Sequence, residues 1–172
     1  MAKQVRRIYW DTSIFLCFLG IGEEARAKIC EDILQHAADG DIRLYTSTYT
    51  IAEVIRPKKK SIPNARALTP DEITQIKNMF RWPFLTMIEL DPRTAFLAAD
   101  LARDHYGMLP ADAVHAASAI IWKLDALQAW DRDFSAVSHL ICVEAPAFIT
   151  KQPSFETMAR ERIGPRPGDF KD

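Results

Sequence analysis

Only three cysteines occur in the 172 residues, Cys17, Cys30 and Cys142, odd in number and widely scattered. That excludes a disulfide framework, a zinc knuckle and a redox CxxC pair, and leaves reduced thiols in a core. Long hydrophobic runs are missing as well. No stretch reaches the roughly 18 apolar residues of a membrane span. Charge of one sign is not in excess: 22 Lys+Arg against 23 Asp+Glu leave a net charge of -1. A uniformly basic nucleic-acid coat is thereby excluded, although a local basic patch is not. Internal repeats and low-complexity segments are also absent.

What is present is ordinary globular material, 48% apolar and 26% charged, in a length that suits one domain with a sizeable core. Near the N-terminus Lys3, Arg6 and Arg7 precede the apolar run Ile14 to Ile21, and Ala25-Arg26-Ala27 resembles a processing site. Asp11 interrupts that apolar stretch, and Glu23-Glu24 stands where a signal peptidase needs small neutral residues. The expected location is therefore the cytoplasm.

The pattern alternates strands and helices. Val5 to Trp10 is β-branched and aromatic and ends at Asp11-Thr12-Ser13, a buried strand followed by a helix start. Glu23 to Ala38 carries Ala25, Ile29, Ile33, Leu34 and Ala37 on one helical face, with Gly40 as its stop. Ile42 to Tyr45 reads as a second strand, and Ser47-Thr48 as the cap of a helix bearing Ile51 to Ile55, ended by Pro57 and Lys58-Lys59-Lys60. Ser61 to Leu68 has no periodicity and reads as a loop.

Thr69-Pro70-Asp71-Glu72 then opens a helix with a capping box. Phe84 to Leu90 forms a third strand, Asp91-Pro92 begins a helix to about His105, and Pro110 begins another to Lys123. Leu127 to Trp130 and Leu140 to Val143 complete the strands. Such alternation predicts a parallel sheet with helices on both faces, a three-layer α/β/α sandwich whose functional groups gather beyond the strands' C-terminal ends.

Acids stand at those ends. Asp11 follows the first strand, Glu53 lies on the helix after the second, Asp112 is in the first turn of the helix from Pro110, and Asp131 directly follows the fourth strand. Each Asp also has a bland reading as cap, dipole partner or turn residue. Glu53 is harder to dismiss, because Ile51, Ala52, Val54 and Ile55 surround it and ionised Glu seldom enters such company unpaired. Clustered carboxylates repel unless a hard cation neutralises them, and Mg²⁺ or Mn²⁺ suits oxygen ligands with positions open to water and phosphate. His115, one turn beyond Asp112, reads as a packed helix-face residue rather than a ligand or general acid.

Together, Asp11-Thr12-Ser13 after an apolar strand, Ser47 to Val54 with its Glu53, Leu109 to Ala117 with its Asp112, and Asp131-Arg132-Asp133-Phe134 resemble a PIN-domain nuclease. The single-domain VapC-type toxins are the most similar in length and layout, over about residues 5 to 150. The resemblance implies a domain over 1-150 with a polar tail over 151-172, and an acidic metal-binding quartet of Asp11, Glu53, Asp112 and Asp131 with Asp133 as a variable fifth acid. It also implies that Thr12 and Ser47 orient carboxylates or waters. Two departures stand out: Ala129-Trp130 occupies a place where the family usually has a hydroxyl, and Arg56 to Leu68 is longer than in compact members.

The activity so implied is Mg²⁺- or Mn²⁺-dependent cleavage of RNA by activated water, in a homodimer controlled by a small VapB-type antitoxin. Arg56, Lys58, Lys59 and Lys60 are the candidate RNA contacts. Asp131 is expected to reach over the sheet edge, with Asp133 serving the turn. The rival readings are a PIN nuclease of RNA processing, a non-catalytic module on the same fold, and a phosphatase with Asp11 as nucleophile. The last needs a second Asp two residues on, where this chain has Ser13.

Overall fold

A computed structural model describes residues 5–20, 23–55 and 68–149. Arg56, Lys58, Lys59 and Lys60, most of the loop expected over Ser61 to Leu68 and the tail beyond residue 150 lie outside those residues. Five parallel strands form one sheet in the order β3-β2-β1-β4-β5. They are β1 (Arg6–Trp10), β2 (Ile42–Ser47), β3 (Leu85–Ile88), β4 (Ala126–Gln128) and β5 (Val143–Glu144). The helices are α1 (Thr12–Phe18), α2 (Glu24–Ala38), α3 (Thr48–Ile55), α4 (Pro70–Met79), α5 (Pro92–Asp104) and α6 (Pro110–Ile121). The architecture is the three-layer α/β/α sandwich expected.

Strand alternation divides the core in two. Ile8, Trp10 and Leu44 face Ile14, Phe15, Cys30, Ile33 and Phe80 on one side of the sheet. Tyr9, Tyr45 and Leu127 face Leu101, Ala113, Ala116, Ala117 and Phe134 on the other. The small residues of α6 let it sit close to the sheet, which matters because Asp112 begins that helix. Local chemistry sets the helix starts: Thr69 and Glu72 close a full capping box before α4, and Asp91 accepts from the Thr94 N–H before α5. Gly107 has φ +99, a left-handed backbone that lets the chain turn from α5 into α6.

The last two strands differ from the sequence reading. β4 ends at Gln128 instead of Trp130, and the strand expected over Leu140 to Val143 is Val143–Glu144. Pairing is the reason: the Leu127 N–H donates to the Cys142 carbonyl and the Ala129 N–H to that of Glu144, while Leu140 belongs to the turn closing on Val137. α6 likewise stops at Ile121, two residues early, where Lys123 takes φ 50. Cys17 and Cys30 are buried as expected, but Cys142 is exposed. Among the described residues no helix is long and apolar enough to cross a membrane.

Candidate active site

The sheet's C-terminal edge is built by β1 and its neighbours. The Asp11 N–H donates to the Gln128 carbonyl at 3.3 Å, extending the ladder one residue past β1 and holding Asp11 at the rim. Asp11 occupies the N-cap position of α1, yet its side chain makes no cap hydrogen bond. The carboxylate instead takes the Ser13 hydroxyl at 2.7 Å and is only 5% exposed. The Ser13 and Ile14 N–H groups still act to lower its pKa, so Asp11 lies close to the α1 start without the full cap bond that Asp91 makes.

β2 runs on to Ser47, so α3 begins at the same edge. One turn into α3 stands Glu53, whose side chain is 19% exposed. Its Oε2 accepts from the Thr12 hydroxyl and lies 2.8 Å from His115 Nε2. The Thr12 hydroxyl thus meets the carboxylate of Glu53. Ser47 has a different use: its N–H donates to Tyr9 Oη at 3.0 Å and its hydroxyl accepts from the Tyr49 N–H at 3.2 Å, which shapes the β2–α3 junction.

From α6 comes Asp112, half-buried in the first turn. Burial raises its pKa first; His115 opposes that, and the charges of Asp133, Asp131 and Glu53 raise it further. Asp112 therefore feels three other acids, one from α3 and two from the segment after β4. Burial likewise pushes Asp11 up to about 6, against the opposing effects of His115 and the Ser13 hydroxyl.

Asp131 and Asp133 are both exposed on the bend after β4. Asp131 Oδ1 accepts from the Asp133 N–H at 3.2 Å, so Asp131 makes the turn bond expected of Asp133. The reversal follows from β4 ending three residues before Asp131, which removes it from the strand end proper. Where the family hydroxyl is missing, the Trp130 indole N–H is buried without a partner among the described residues. The Arg26 guanidinium lies over that ring, 4.8 Å from its centroid, and pairs with Glu23 at 3.4 Å.

His115 departs furthest from expectation. It is buried, at 2% exposure, but it is no bystander on a packed face: it touches Glu53, Thr12 and Tyr9. Asp112, three residues earlier, shares its face of α6, but that spacing does not reveal that the ring meets Glu53. Among the described residues no three acids, histidines or cysteines already stand together as a ligand set. The acids expected from the sequence as ligands offer only carboxylate oxygens, a donor chemistry that fits a hard divalent cation better than zinc. A cavity of about 320 Å³ lined by Arg6, Ile8, Gln128, Glu144 and Phe148 contains none of these acids.

The PIN domain family model matches residues 8–140, most of the described chain. The chain belongs to the PIN domain family. Known structures similar to this PIN domain include DNA-bound VapBC from Salmonella typhimurium, at 21% identity and a TM-score of 0.59, covering 83% of this chain and 100% of that one. A toxin-antitoxin complex from Klebsiella pneumoniae is 19% identical with a TM-score of 0.57, covering 83% and 99%. Mycobacterium tuberculosis VapC20, a toxin that cleaves the sarcin-ricin loop, is 15% identical with a TM-score of 0.57, covering 76% and 94%. No curated protein matches the sequence.

Asp11 gives this PIN domain a measurable signature. A carboxyl with a folded pKa near 6 binds more protons than the unfolded chain, whose value is about 3.9, so metal-free stability falls as pH rises through roughly 4 to 6. Above that window the cost is on the order of 2–3 kcal/mol. Asp11→Asn retains an oxygen for Ser13 and removes the cost. In chelator at pH 7.5 the variant is expected to melt several degrees higher than the wild type, with the gap closing near pH 4. Equal melting curves at both pH values would refute the buried-charge account.

Proposed function

We propose that this PIN domain is a metal-dependent endoribonuclease acting as the toxin of a VapBC-type pair. What supports this reading is that Asp11 and Asp112 both feel His115, which bonds Glu53, and that Asp112 also feels Glu53, Asp131 and Asp133. Asp11, Glu53, Asp112 and Asp131 would hold Mg²⁺ or Mn²⁺, with Asp133 as a fifth acid. Once bound, such a cation lowers the pKa of water and offsets the charge that develops on a phosphodiester as it is displaced in line.

The chain's own groups do the arranging. Thr12 and His115 hold the Glu53 carboxylate, and Ser13 holds that of Asp11. Asp112 sits at a helix N-terminus, whose partial positive charge favours its ionised form. An acidic site repels RNA, so cations must draw the backbone in. Arg56, Lys58, Lys59 and Lys60 are the candidates from the sequence.

An antitoxin partner is supported by the toxin-antitoxin complexes among the similar structures. A basic side chain from such a partner would pair with the carboxylates in place of the cation. We propose the homodimer and the cytoplasmic location on the same family grounds.

The deciding experiment is to purify the protein away from its genomic neighbour's product, incubate it with total RNA and Mg²⁺ or Mn²⁺, and map the new 5′ ends. A few discrete cuts bearing 5′-phosphates are expected. Intact RNA under both metals overturns the nuclease reading, and cleavage at very many sites removes the specific-toxin part of it.

A further inference from the structure

We propose that His115 is a positioning residue, whose Nε2–H fixes the Glu53 carboxylate relative to Asp112. This rests on the nuclease reading above and specifies how that site keeps its shape.

The imidazole is bonded at both ends. Nδ1 lies 2.8 Å from Tyr9 Oη, and Nε2 lies 2.8 Å from Glu53 Oε2 and 3.1 Å from Thr12 Oγ1. Glu53 settles which nitrogen must carry a hydrogen. A carboxylate only accepts, so the 2.8 Å contact to Oε2 places a hydrogen on Nε2, aimed at Glu53. Nδ1 faces the Tyr9 hydroxyl, which also receives the Ser47 N–H at 3.0 Å.

The ring has little freedom to turn. It is 2% exposed and lies between Tyr9, with ring centroids 5.8 Å apart, and Tyr49, at 6.1 Å. A general acid must reach the substrate, whereas this side chain is enclosed and engaged at both nitrogens. Its leverage is geometric. Asp112 and His115 lie three apart in α6 and share a face, so the turn that presents one acid also presents the donor that holds another, from α3. Oε2 receives both the Thr12 hydroxyl and the His115 N–H, which fixes the plane of the carboxylate. The continuous path Ser47 N–H, Tyr9, His115, Glu53 links the end of β2 to α6 and back to α3.

Two measurements test this with Mn²⁺ alone as the probe. Long-range ¹⁵N correlation on the wild-type protein reads the His115 tautomer directly, and Mn²⁺ titration followed by electron paramagnetic resonance reads affinity without turnover. The Nε2–H tautomer is expected. His115→Leu should weaken Mn²⁺ binding about 10- to 100-fold, the usual effect of losing a group that orients a ligand. His115→Gln, which restores an N–H of similar reach, should lie closer to the wild type. RNA cleavage by His115→Leu should recover at saturating Mn²⁺, placing the loss in metal requirement and not in kcat.

Should His115→Leu fail to fold, Tyr9→Phe keeps the imidazole and removes its partner at Nδ1. It is expected to keep the Nε2–H, held by Glu53, and still weaken Mn²⁺ binding, because the ring that positions Glu53 is no longer anchored. An Nδ1–H tautomer in the wild type overturns the proposal. So does Mn²⁺ affinity unchanged in folded His115→Leu, or no Mn²⁺ binding by the wild type. A wild type that binds Mn²⁺ and shows these effects without cleaving RNA supports the positioning role and overturns only the nuclease reading.

Discussion

Asp112→Asn is expected to lower RNA cleavage by at least ~100-fold, with the far-ultraviolet spectrum unchanged; loss of a group that merely orients a metal ligand already costs ~10- to 100-fold. The variant keeps the shape of the side chain and the helix start at Pro110, and removes the charge that a divalent cation needs. Glu53→Gln and Asp11→Asn should fall as far. Glu53→Gln can still offer one oxygen to the Thr12 and His115 donors, which both meet Oε2, so its loss reads the missing charge.

Asp131→Asn and Asp133→Asn should cost less, since both side chains are exposed. Asp133→Asn is expected to be no milder than Asp131→Asn. Asp133 stands ahead of Asp131 among the charges that raise Asp112, and Asp131 is partly engaged by the Asp133 N–H. Activity near wild type in the Asp11, Glu53 or Asp112 variant would return that acid to a structural role.

Removing metal should abolish cleavage altogether. On the proposed reading, excess EDTA leaves the acids without the cation that would activate water and offset charge on the phosphate. Adding Mg²⁺ or Mn²⁺ back should restore discrete cutting. Zn²⁺ should restore it poorly, because it favours nitrogen and sulfur ligands, and the expected donors are oxygens. The measurement is a time course of one labelled RNA in chelator, then in each metal. Persistent cutting in excess EDTA sinks the metal-dependent mechanism, whatever the acid variants do.

Much of this protein was legible along the chain. Alternating strands and helical faces dictate a parallel sheet covered on both sides, because strands with apolar residues on both faces must be buried on both. Thr69-Pro70-Asp71-Glu72 and Asp91-Pro92 start their helices through bonds made within four residues, and local bonds can be read locally. Asp11, Glu53 and Asp112 were identifiable because each stands just beyond a strand end or in the first turns of a helix that begins there.

Contacts between distant segments decided the rest. Where β4 ends depends on Cys142 and Glu144, which supply its hydrogen-bond partners, and that pairing transferred the turn bond from Asp133 to Asp131. The cation beside Trp130 comes from Arg26, more than a hundred residues away in sequence. Above all, nothing near His115 in sequence distinguishes a packed imidazole from one that holds a carboxylate. Ala113, Val114, Ala116 and Ala117 show only that the helix packs. The identity of what lies against it, Tyr9 from β1, Thr12 from α1 and Glu53 from α3, is set by how those elements meet at the sheet edge. A hydrogen bond joining residues 62 apart leaves no periodic trace in the chain, so only the tertiary structure could assign it.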